Sequence, residues 1–62
     1  MQIQIDRADQ LDDLLEYLRA GGCIALRRDH KSVEALVPGA ASPLSERREL
    51  GAFLRSWEAQ AA

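Results

Sequence analysis

Asp6-Arg7-Ala8-Asp9-Gln10-Leu11-Asp12-Asp13-Leu14-Leu15-Glu16-Tyr17-Leu18, then Arg19-Ala20-Gly21-Gly22, then Cys23-Ile24-Ala25-Leu26, is the stretch whose reading decides the fold. Leu11, Leu14, Leu15 and Leu18 recur at helical spacing, two glycines stop the pattern, and the residues behind them alternate with the two-residue period of a strand. One amphipathic helix, running from Asp6, is thus delivered onto one sheet. Asp6 reads as its N-cap, because a carboxylate accepts from the free N–H groups of a first helical turn, and Asp9 three residues on gives an acidic capping box. Asp12 and Asp13 suit the positive end of the helix dipole and Arg19 the negative end. Gly21 or Gly22 supplies the left-handed residue that closes such a helix.

On the near side of this stretch, Gln2-Ile3-Gln4-Ile5 alternates polar and apolar, so Met1, Ile3 and Ile5 share one face of a half-buried strand and Gln2 and Gln4 the other. On the far side, Ile24 and Leu26 are expected to face the helix. Val33, Ala35 and Val37 repeat the alternation beyond the polar tip Asp29-His30-Lys31-Ser32, which makes the two runs a hairpin. Pairing Leu26 with Val33 and Ile24 with Ala35 turns both strands the same way and sets Glu34 opposite Ala25 on the outer face. Pro38-Gly39 ends the second arm. Ser42-Pro43 then reads as an N-cap with proline at the first helical position. Leu50, Phe53, Leu54 and Trp57 follow on one stripe of a second helix, and Gly51 within it points to a close approach by a neighbouring element.

The order is therefore strand, helix, strand, strand, helix over residues 1–62, a single small α+β domain. Placing the third strand between the first two gives an antiparallel sheet of order 1-3-2 with two helices on one face, the ferredoxin-like pattern without its last strand. The edge at Gln2 to Ile5 is left open.

At 62 residues such a domain buries only about 60% of its unfolded surface, so a supplement to its private core is expected. The single cysteine excludes an internal disulfide, and Cys23 with His30 falls short of a zinc ligand set. Association with another chain is left, and a homodimer meets both the small core and the open edge. A net charge of −2 without long runs of one sign speaks against a general nucleic-acid or membrane-surface binder. No targeting segment and no bilayer-spanning stretch are legible, and the unpaired cysteine suits a reducing compartment, so a cytoplasmic protein is expected.

Leu-Leu-x-x-Leu ahead of Gly22-Cys23, Val33-Glu34 running to Val37-Pro38-Gly39, and Glu49-Leu50 leading to Phe53-Leu54-Arg55-x-Trp57 together resemble short uncharacterised proteins of high-GC bacteria. The resemblance spans nearly the whole chain and implies a compact βαββα unit with no known activity.

No residue pattern here carries catalysis, a cofactor or a metal. Cys23 and His30 stand at opposite ends of one strand, about 20 Å apart, too far for a nucleophile and its base. Asp9, Asp12, Asp13 and Glu16 read as a solvated helix side. The candidate interface comprises Gln2 and Gln4 on the open edge and Phe53 and Trp57 on the aromatic stripe. The reading is a small non-catalytic interaction or regulatory module that forms a homodimer. Its competitor is a nucleic-acid-binding protein gripping phosphate through Arg27, Arg28 and Lys31 at the hairpin tip, although Asp29 sits inside that cluster and no strand aromatic is there to stack a base.

Overall fold

The structure, a computed structural model, describes residues 1–61. The elements follow the expected order: β1 (Gln2–Gln4), α1 (Leu11–Ala20), β2 (Ile24–Arg27), β3 (Ser32–Leu36) and α2 (Pro43–Ala61). The sheet is antiparallel with β3 in the middle, order β1-β3-β2, and both helices feed one hydrophobic core on one of its faces.

α1 starts later than its acidic run suggests. A short 3-10 turn, Ala8–Gln10, runs directly into the helix at Leu11, with the Gln10 N–H donating to Arg7 and the Leu11 N–H to Ala8. These backbone bonds satisfy the first donors, so the expected capping by Asp6 is not used and no side chain caps either turn. At the other end the closure is complete. The Cys23 N–H donates to the Leu18 carbonyl at 3.0 Å and the Gly22 N–H to Arg19 at 3.0 Å, a Schellman motif with Gly22 at φ 93° in its left-handed position.

That motif sets the parity of the hairpin, and here the structure corrects the expected register. Cys23 is drawn into the core beside Leu18, so the next inward position on β2 is Ala25, and Ile24 and Leu26 turn outward. The strands pair Ile24 with Leu36, Ala25 with Ala35, Leu26 with Glu34 and Arg27 with Val33, one residue removed from the pairing read off the apolar pattern. Ala25 and Ala35 therefore face each other under α1, and their small side chains let the four buried leucines of that helix approach the sheet closely.

The remaining connections are as the turn chemistry requires. Val37-Pro38-Gly39-Ala40 closes with the Ala40 N–H on the Val37 carbonyl at 3.2 Å, proline second and Gly39 third at φ 83°, a type II turn. Ser42 caps α2, its Oγ accepting from the Ser45 N–H at 3.1 Å.

The close approach expected at Gly51 lies instead at Gly21, where an added Cβ would run into the Phe53 ring; at Gly51 it would meet only Arg55 Nη1, at 3.4 Å. Gly51→Ala should accordingly raise stability by about 0.5–1 kcal/mol through helix propensity. Gly21→Ala should lower it by about 1–3 kcal/mol through overpacking. Thermal melts of the two variants, moving in opposite directions, check this pair.

Candidate functional site

Of the expected interface residues, Gln2 and Gln4 are exposed on β1, with side chains on the sheet face that no helix covers. Phe53 is half-buried, its ring edge-on to Tyr17 with centroids 6.4 Å apart. Trp57 is 6% exposed, and its indole N–H donates to Asp13 Oδ2 at 2.7 Å. Most of its surface is thus spent on packing α2 against α1. The same bond takes Asp13 out of the solvated acidic side, and Asp12 accepts from Arg27 Nη1 at 3.3 Å.

Arg27, Arg28 and Lys31 are all exposed at the hairpin tip. Arg27 is committed inward, to Asp12 and, through Nε, to the Asp29 carbonyl at 3.4 Å. Asp29 Oδ1 accepts from the Lys31 N–H at 2.8 Å, and chiefly that bond holds its carboxyl below the usual carboxylate range. The tip is therefore a self-bonded turn with an ionised carboxylate among its cations. Cys23 is in the core, where burial, helped by the Glu49 carboxylate, pushes its thiol up and away from the reactive thiolate. His30 is exposed in the loop. Among the described residues, no helix is long and apolar enough to cross a membrane.

Ile24 and Leu26, expected against the helix, lie on the outside, where Leu36 joins them. Ile24, Leu26 and Leu36 are 51%, 61% and 44% exposed on the uncovered face. Ile24 pairs directly with Leu36, and Leu26 lies one row along opposite Glu34, so the three side chains form one patch across β2 and β3. Gln2 continues the Leu26–Glu34 row onto β1. The signal that could have located this patch is the Gly21-Gly22-Cys23 run, because a Schellman closure commits the residue after the glycines to the core.

The two sheet edges also differ. On β2, Arg19 Nε and Nη2 both donate to the Ala25 carbonyl, at 3.1 and 2.8 Å, closing that edge with a guanidinium. On β1, Met1 and Ile5 aim their backbone groups at β3: the Met1 carbonyl accepts from Ala35 and the Ile5 N–H donates to Lys31, each at 2.9 Å. Antiparallel alternation therefore turns the N–H and C=O groups of Gln2 and Gln4 outward, onto an edge without a charged side chain.

Comparisons of this chain with protein-family models, with curated proteins and with solved structures found no match.

Proposed function

We propose that this chain is a small non-catalytic interaction module of a reducing, cytoplasmic compartment, and that it pairs with a second copy of itself through the uncovered sheet face. The observation that carries this reading is the contiguous patch of Ile24, Leu26 and Leu36, large aliphatic side chains at strand positions where a solvated face would carry polar ones. A short chain with a small core gains most from covering such a surface. The three-stranded face is about 14 Å across, so the contact lies at the small end of specific interfaces and fits micromolar self-association better than a permanent dimer.

Sedimentation equilibrium is the test. The unmodified chain should pass from monomer to dimer across the micromolar range, and Ile24→Lys should remain a monomer with an unchanged far-UV spectrum. A chain that stays monomeric to millimolar concentration would sink the reading.

A further inference from the structure

Two helices side by side are about 20 Å wide, whereas three strands span about 14 Å and four about 19 Å. This sheet is one strand too narrow for its helices. α1 lies over β2 and β3. α2 runs beside β1: Glu46 meets the Met1 ammonium at 3.7 Å at one end, and Trp57 and Glu58 wall a cleft with Gln4 and Ile5 at the other. The width mismatch therefore falls at the β1 edge, beneath the overhang of α2.

Two clefts mark the ends of that overhang. One, of about 430 Å³, lies between Met1 and the Pro43, Leu44 and Arg47 turn of α2. The other, of about 240 Å³, includes Gln4, Ile5, Asp6, Trp57 and Glu58 in its walls. Between them run the outward N–H and C=O groups of Gln2 and Gln4, with the half-buried Leu54 on the helix above. The groove is dressed differently at its two ends. Glu58 and Asp6 stand at the Ile5 end and outnumber the one cation in its wall, Arg7, whose guanidinium also lies 4.0 Å from the Asp9 carboxylate. Arg47 stands at the Met1 end, where Glu46 is already engaged by the Met1 ammonium and the Val37 N–H.

We infer that this groove is a docking site for one extended segment of a partner protein, which adds to β1 as an antiparallel fourth strand, carrying a cation at its leading end, a carboxylate at its trailing end, and aliphatic side chains at alternate positions between them. The residues opposite Gln2 and Gln4 exchange backbone hydrogen bonds with the edge, and the alternate side chains fill the space below Leu54 and Trp57. The leading cation meets Glu58 and Asp6; the trailing carboxylate meets Arg47. A second copy's own β1 is not the occupant. Edge pairing would set the two strands about 4.8 Å apart, while the overhanging helices need 8–10 Å between their axes. The inference does not rest on self-pairing, which uses the opposite face of the sheet.

The test titrates the full chain, labelled with ¹⁵N, with the peptide acetyl-Lys-Thr-Val-Thr-Val-Thr-Glu-amide, whose charged and aliphatic side chains share one face of an extended strand, and with its charge-reversed counterpart, which begins with Glu and ends with Lys. The first peptide should shift and protect the Gln2 and Gln4 amides and bind about five-fold more tightly than the second. Gln4→Pro removes an outward donor without touching the β1–β3 ladder and should abolish the response. Should that variant not fold, the exchange Arg47→Glu with Glu58→Arg should reverse the preference between the peptides. Three results overturn the proposal: no shift at millimolar peptide, shifts confined to Ile24, Leu26 and Leu36, or protection of Gln2 and Gln4 that grows with protein concentration in the absence of peptide and so identifies a second copy as the occupant.

Discussion

Leu18→Ala is expected to remove about half of the domain's stability at 25 °C. Leu18 is fully buried in the core cluster, and its carbonyl accepts the Cys23 N–H that closes α1. Truncating such a leucine removes its transfer free energy and leaves a cavity, together costing about 2–5 kcal/mol. Against this stands a total stability for 62 residues of about 3–9 kcal/mol, on the usual 0.05–0.15 kcal/mol per residue. The loss falls at the point where the helix turns into β2, so the apolar contact between Leu18 and Cys23 that accompanies the Schellman closure goes with it. Urea unfolding followed by far-UV circular dichroism reads the effect directly. A midpoint within experimental scatter of the unmodified chain's would mean that Leu18 is not the packing centre described above.

Leu18 also shows why so much of the fold was legible. Spacing placed the leucines of α1 on one stripe, the glycine pair stopped it, Ser42-Pro43 started α2, and Pro38-Gly39 ended β3. These are local signals, and the structure obeys them because capping, turn and periodicity requirements are settled within a few residues. The strand order followed from connectivity, which leaves few ways to place three strands joined in this manner.

Register was not legible from hydrophobicity. Ile24 and Leu26 outweigh Cys23 and Ala25 on any apolar scale, and a period-two pattern cannot distinguish a strand from the same strand slipped by one residue. The deciding interaction was the geometric lock between Cys23 and Leu18. The edge asymmetry was hidden for a related reason: Arg19 looks like an ordinary cation in a last helical turn, and only the fold brings its guanidinium to the Ala25 carbonyl. The role of Asp13 depends on a contact with Trp57, 44 residues away in sequence, beyond any local pattern.

The largest contrast should come from placing the same charge at two neighbouring positions of β2. Ala25 is 2% exposed and faces Ala35 beneath α1, so Ala25→Asp forces a carboxylate into the apolar cluster, while the Arg19 guanidinium is already engaged by the backbone carbonyl of residue 25. Whether the carboxylate ionises or takes up a proton, its burial and the steric strain of a larger side chain should together cost about 4 kcal/mol or more, a large share of the stability of a domain this size. Leu26 is the next residue along and is 61% exposed on the opposite face. Leu26→Asp, which sets a second carboxylate opposite Glu34, should cost only about 1 kcal/mol at concentrations where the chain is monomeric, and act chiefly on self-association. Had the strands paired as the apolar pattern suggests, the two outcomes would be exchanged, since the slip by one residue is a change of face. An Ala25→Asp chain that folds normally while Leu26→Asp collapses would therefore overturn the register, and with it the uncovered apolar patch on which self-pairing is proposed.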